Sequence, residues 1–323
     1  MKTQHVVTRV LMGLAVAASV SLNAFAGEYP VKPVRMIVGF PPGGATDLVA
    51  RIIQPRMTEG LGKQVIVDNR PGANGVISDD ILARSEPDGY TVGFGHIGTL
   101  IISPTIQKVP YDPHKSFAAI GMMVSLQNII ITNPSVPVKN LKEFIALAKS
   151  KQGQFNYATS GIGSPGHLAA VLLESTAGIQ MTHIPYKGGA PAITDLIAGH
   201  VPSFFAVIST ATPHVKSGKA RGIAVTGTRR VEALPDVQTI AETYPGYAAT
   251  NWYGLFAPAK TPPAIIKRLN KELVAALQSP SVIQQLKARG IDAHPSSPAE
   301  LTEFVRKEEI KWVPIIKRSN IKE

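Results

Sequence analysis

Cysteine is absent from all 323 residues. That removes disulfides, thiolate metal ligands and a cysteine nucleophile together. Other absences narrow the field further. No pair of histidines stands at i, i+4 with a glutamate between them, and there is no dense Asp/Asn loop, so metal-site signatures are missing. No G-x-x-x-x-G-K-[ST] occurs: Gly218-Lys219 is preceded by Pro213 where glycine is required and followed by Ala220. No low-complexity linker and no repeat of fixed period appears. Long apolar runs are also missing, with one exception at the start of the chain.

That exception has the layout of a secretory signal. Lys2 and Arg9 precede about a dozen mostly apolar residues, and Ala24-Phe25-Ala26 follows as a small-x-small cleavage pattern. The run is short for a membrane span of about 20 residues. Residues 1–26 are therefore expected to be removed, giving a periplasmic protein held by its core rather than by disulfides. Without a nearby cysteine, no lipid anchor is expected. Net charge is +11, less the two charges lost with the leader. The basic residues are spread out, which mildly favours anionic partners by steering and gives no sign of nucleic acid.

The chain is organised around residues 34–47, VRMIVGFPPGGATD. An apolar run bounded by Pro33 and Pro41 reads as a strand buried on both faces. Pro41, Pro42, Gly43 and Gly44 force a turn. Ala45, Leu48, Val49, Ile52 and Ile53 then recur at helical spacing, with Thr46 or Asp47 as cap and Pro55 expected to kink or shorten the helix. A helix start offers unpaired N–H groups and partial positive charge, so this turn suits an anion. A second stretch, SGIGSPGH at 160–167, has the same design after a strand at 156–159. Other strands are expected at 64–68, 90–94, 128–132, 181–186, 202–208, 223–226 and 251–257. Helices are expected around Ile77 to Leu82, at 138–151, around Leu168 to Ser175, at 190–198 and through the tail. Strand–helix alternation implies a parallel sheet with right-handed crossovers.

Gly161, Gly163 and Gly166 also fit G-x-G-x-x-G, but the following strand ends in HIPYK rather than an acidic residue, which rejects a dinucleotide site. A secreted serine hydrolase is the enzyme alternative. Ile162-Gly163-Ser164-Pro165-Gly166 lacks the first glycine of a nucleophile elbow, and nothing links His183, His200 or His214 to a serine. No cofactor is expected.

Eight stretches in order resemble the Bug family of periplasmic solute-binding receptors of tripartite tricarboxylate transporters. They are FPPGGATD, VDNRPGANG, VPYDP, YATSGIGSPGHL, HIPYKGGAPA, HVKSGKARGIAVTG, ALPDVQTIAE and WYGLFAPAKTP, and they span essentially all of the chain after the leader. The resemblance implies an α/β chain with the type II periplasmic-binding-protein fold: two α/β lobes with a hinge and a ligand cleft between them. Lobe 1 would take residues 27–126 plus 249–323, and lobe 2 residues 127–248. It implies a small carboxylate ligand held by the two turns. First-lobe contacts would be Phe40, Pro41, Gly43, Gly44, Thr46 and Asp47, with His96 and Thr99. Second-lobe contacts would be Ser160, Gly161, Ser164 and His167, with Tyr186. The partners implied are the membrane permease subunits of the transporter or, with the same pocket read as a sensor's, a sensor kinase. Two positions depart from the family pattern. Ala206 stands where an acidic residue often reaches the cleft, and His96-Ile97 replaces small polar residues. Loss of the acid argues against an amino-acid ammonium and favours a dicarboxylate or an aromatic acid.

Overall fold

A computed structural model describes residues 29–318; the expected signal at 1–26 lies outside them. Among the described residues, ten strands form one twisted sheet. They are β1 (Val34–Val38), β2 (Val65–Asn69), β3 (Thr91–His96), β4 (Phe117–Thr132), β5 (Asn156–Thr159), β6 (Thr182–Pro185), β7 (Ser203–Val207), β8 (Arg221–Val225), β9 (Thr250–Pro258) and β10 (Ile291–Ala293). The order is β2-β1-β3-β9-β4-β7-β5-β6, with β8 and β10 also paired to β4. The helices are α1 (Ala45–Leu61), α2 (Val76–Ala83), α3 (Ser103–Ile106), α4 (Leu141–Lys151), α5 (Pro165–Ala177), α6 (Gly189–Ala198), α7 (Ile208–Lys216), α8 (Pro263–Gln278), α9 (Pro280–Lys287) and α10 (Pro298–Arg318).

The parallel pairs are β1 with β2 and β3, and β5 with β6 and β7. The strands between those two sets, β9 and β4, run antiparallel to their neighbours. The sheet is therefore mixed, where alternation alone implied a parallel one. The sixteen-residue β4 joins the halves. Its first part pairs β9 and β10, and its last part, from Asn128, pairs β7 and β8. The segment 117–127 carries Gly121 and no helical or alternating pattern, and only 128–132 reads as a strand from sequence.

Side chains alternate across this sheet and build two cores, one on each face. Phe204 and Ala206 enter one and Phe205 the other; Ile129 and Ile131 enter the first and Ile130 the second. Each core runs through both halves of the molecule. The tail helices supply Leu269, Leu273 and Leu277 to the first core, and Leu301, Trp312 and Ile316 to the second.

Three local expectations change. Helix α1 runs through Pro55 to Leu61. Pro55 is on the solvent side, where water can take the carbonyl it leaves unpaired. The α1 N-cap is Gly44, not a side chain. In α2 the buried face is Val76, Ser78, Asp79 and Leu82, while Ile77 is exposed.

Helix α5 starts against β7, and the contact requires glycine. A Cβ on Gly166 would lie 2.2 Å from the Phe205 carbonyl oxygen, and a backbone atom cannot swing aside. Gly166→Ala is expected to cost about 1–3 kcal/mol, the usual range for overpacking. The urea midpoint of unfolding measures it, and an unchanged midpoint would show that α5 can slide.

Candidate functional site

The C-terminal ends of β1, β3, β5, β6 and β7 meet at one crevice, the usual ligand position of an open α/β sheet. Two connected cavities fill it, sharing Phe40 and Ser160. The inner cavity is tight, about 30 Å³, and is lined by Gly44, Ala45, Thr46, His96, Pro165, Gly189, Phe204, Val207, Thr210, Asn251 and Tyr253 besides the shared pair. The outer cavity, about 620 Å³, is lined by Pro41, Asn74, Gln107, Gly161, Tyr186 and Lys187 among others. The halves touch here. A Cβ on Gly188 would lie 3.0 Å from Pro41 Cδ, and one on Gly163 would lie 3.3 Å from Ile102.

The two glycine-rich turns differ in what they offer. At the first, Gly43 N–H donates to Asp47 (3.0 Å) and Gly44 N–H to the Pro41 carbonyl (3.3 Å). With glycine as N-cap, no side chain serves the first turn of α1. Its first three N–H groups, on Ala45, Thr46 and Asp47, have no acceptor within the helix, and Ala45 and Thr46 line the inner cavity. The second turn is largely self-satisfied. Gly161 N–H donates to Thr159 Oγ1 (3.2 Å), Gly163 N–H to His167 Nδ1 (3.2 Å) and Ser164 N–H to the Gly161 carbonyl (3.2 Å). Ser164 Oγ caps α5 by accepting from His167 N–H (3.2 Å). What this turn presents to both cavities is Ser160. Gly161 has φ +139, a conformation other residues rarely hold.

His96 is 2 % exposed. Its Nδ1 accepts from Gly98 N–H at 2.9 Å, so in the neutral ring the proton sits on Nε2. Nε2 is buried with no protein partner. Burial pushes the pKa down to about 4. His96 therefore offers a neutral N–H donor, held between Phe40 and Tyr253, at 5.5 and 6.2 Å between ring centroids.

Several expected contacts turn away from the cavities. Asp47 is buried and accepts from Gly43, from Arg51 Nε and from Asn69 Nδ2, each at 3.0 Å. Burial works to raise its pKa, but these bonds win and hold it low. Gly43 is exposed and lines neither cavity. Thr99 is fully buried, its carbonyl accepting from the Tyr111 hydroxyl at 2.8 Å. His167 stacks on His183 at 3.9 Å. Burial, then its neighbour His183, pushes the His167 pKa down to about 3, and burial pushes that of His183 down to about 4. The pair supports the second turn from behind through Gly163 and Thr159. Ser164 is fully buried as a cap, and Ala206 is fully buried in the core. An acid at 206 would enter that core, and the residues reaching the crevice from this strand end are Val207 and Thr210. Tyr186 lines the outer cavity, but its hydroxyl donates to Asp195 (2.8 Å).

The crevice thus gathers Phe40, Pro41, Gly44, Thr46, His96, Ser160, Gly161 and Tyr186 from the expected set. Sequence reasoning missed Asn74, Gln107, Lys187, Thr210, Asn251 and Tyr253. Asn74 and Lys187 sit inside two of the motifs quoted above, NRPGANG and HIPYKGG, and a closer reading of those loops would have found them. Among the described residues, no Asp or Glu lines either cavity, and Lys187 is the one Lys or Arg that does.

Known proteins resemble this chain in sequence and in fold. A family model described as "Tripartite tricarboxylate transporter family receptor" matches residues 49–321. The protein BugT of Bordetella pertussis is 33% identical over 324 residues, covering 98% of both chains. Among solved structures, the periplasmic binding protein BugD has a TM-score of 0.87 at 35% identity, covering 91% of this chain and 99% of its own. A Rhodopseudomonas palustris protein solved with adipate, Rpa4515, has 0.88 at 31%, with the same coverage. MatC from that organism, with bound malate, has 0.85 at 30%, covering 89% of this chain and all of its own.

Asp79 lies on the buried face of α2, packed behind the turn that carries His96. Its Oδ1 accepts from Ser78 Oγ (3.3 Å), and Oδ2 has no protein partner. Burial raises its pKa to about 7, outweighing the opposite pull of the neighbouring Thr99 and Ser78 hydroxyls. The folded pKa lies above the unfolded one, so this group's contribution to stability is complete below about pH 4 and is lost as pH rises through about 7. Asp79→Asn removes that loss. Its melting temperature relative to the wild type is expected to rise between pH 5 and pH 8, and a difference independent of pH would mean that Asp79 does not titrate there.

Proposed function

This chain belongs to the tripartite tricarboxylate transporter receptor family, a family of solute-binding receptors rather than enzymes, and from that premise we infer that it captures a small dicarboxylate in the crevice and delivers it to the permease subunits of such a transporter. The observation that carries the reading is the convergence on the inner cavity of the unpaired N–H groups of α1, the His96 Nε2–H donor and Ser160. One carboxylate sits there as an acceptor for all of them. The second extends through the outer cavity toward Lys187. A ring does not fit the inner cavity as it stands, which favours an aliphatic diacid over an aromatic one. The adipate and malate bound by two similar structures support the same class. The lobes are residues 27–126 with 249–323, and 127–248. The hinge then falls where Gln127 of β4 pairs with Thr250 of β9. Export by the N-terminal signal places the protein in the periplasm, where similar receptors work.

Binding to the folded state alone stabilises it by about 2.7 kcal/mol at about 100 times Kd. Thermal melts against a panel of C4 to C8 diacids are expected to shift upward for at least one member. A panel without any shift would sink the reading. Lys187 is exposed, so its pairing is worth little, about 0.2–1 kcal/mol. Lys187→Gln is expected to weaken a diacid about 2- to 5-fold at low salt, with the gap closing at high salt. The matching monoacid should be unaffected, and an equal loss for both would place the second carboxylate elsewhere.

A further inference from the structure

Asn74 stands between the two halves of the crevice, and its side chain makes no hydrogen bond within the protein. Both heteroatoms of its carboxamide are buried and lack a protein partner. The statement holds for either orientation of the amide. Its backbone is left-handed, φ 50 after φ 43 at Ala73, a conformation asparagine tolerates better than most residues. Two glycines fix its surroundings. A Cβ on Gly98 would lie 3.0 Å from Asn74 Nδ2 and 2.8 Å from His96 Nδ1, so amide and imidazole cover the same point. A Cβ on Gly161, across the crevice, would lie 3.9 Å from Asn74 Oδ1. The amide head is thus caught between the His96 turn and the second glycine-rich turn.

A carboxamide presents a donor side and an acceptor side. A carboxylate supplies acceptors only. It can take hydrogens from Asn74 Nδ2 and His96 Nε2, but it leaves Oδ1 facing oxygen, and an unmet buried polar atom costs binding energy. An ammonium would supply the missing hydrogen, but it brings a positive charge into cavities that no Asp or Glu among the described residues lines. A hydroxyl meets both demands without charge: it donates to Oδ1 and accepts from His96 Nε2–H. Resting on the dicarboxylate reading above, we propose that the ligand is a hydroxy diacid and that Asn74 reads the hydroxyl beside its inner carboxylate.

Calorimetric titration tests this with succinate against malate, adipate against 2-hydroxyadipate, and aspartate as the ammonium arm. In at least one pair, the hydroxy acid is expected to bind about 10-fold more tightly than its parent, the effect of leaving one buried polar group unpaired. Aspartate should bind more weakly than malate. Asn74→Gly keeps the left-handed backbone accessible. It should shrink the hydroxy-to-parent ratio to within about 2-fold, because the parent loses only the Nδ2 donor while the hydroxy acid also loses the Oδ1 acceptor. Parent diacids binding as well as their hydroxy forms, or aspartate binding best, would overturn the proposal and leave the dicarboxylate reading standing. So would Asn74→Gly weakening every acid alike, which would make Asn74 a support for its loop. No binding by any of the five would fell the dicarboxylate reading, and this inference with it.

Discussion

A helix start surrenders its first N–H groups, and no rearrangement inside the helix recovers them. At α1 no capping side chain meets them. The N-cap is glycine, Asp47 serves Gly43 rather than its own turn, and Ala45 and Thr46 line a cavity closed by the opposite half of the molecule. Everything else in the crevice is arranged around that deficit. The second turn is the contrasting case. Its amides are spent on Thr159, His167 and its own carbonyl, and α5 is capped by Ser164 with Pro165 behind it. One turn leaves amides without partners in its helix, and the other spends its own and presents Ser160. The two look alike in sequence because both need glycine, but for different purposes.

Sequence patterns showed the strand–turn–helix units because proline, glycine and apolar spacing report local backbone geometry directly. Strand 156–159 and the Asn251 to Ala257 core of β9 were legible for that reason. Side-chain direction was not. The family resemblance implies that His167 and Asp47 reach a ligand, but each is bonded inward and holds a turn. Direction depends on which groups compete for the side chain, and those partners, Gly163 and Asn69, become neighbours only on folding. The polar inner face of α2 was hidden in the same way: Ser78 and Asp79 are buried where hydropathy expects Ile77. The buried Ala206 shows the risk of carrying a position over from a family resemblance. One residue along a strand changes the face, and the crevice is reached by Val207 instead.

Charge is sparingly used at the site. His96 is neutral because burial disfavours its charged form, and its tautomer is set by the Gly98 amide rather than by a carboxylate. Thr46, Ser160 and Thr210 are neutral as well. A receptor that must let go gains from this. Neutral donors hold an anion firmly when several act at once, but no buried ion pair has to be broken when the halves separate.

The way the halves are joined decides how such a site can open. Two separate cores would let the lobes move as independent bodies, but each core here runs continuously across the sheet on one face. Large slippage would break packing on both faces at once. The least disruptive motion is a bend of the two adjoining strands, β4 and β9, near Gln127 and Thr250, where their paired ladder ends. A bend there would move the Gly161 and Gly188 turns away from Asn74 and Pro41 without disturbing α1. The start of α1 would then keep its geometry, and only the contacts of the second turn would be remade on closure. Ligand contacts made to both sides would supply the difference in free energy that closure needs.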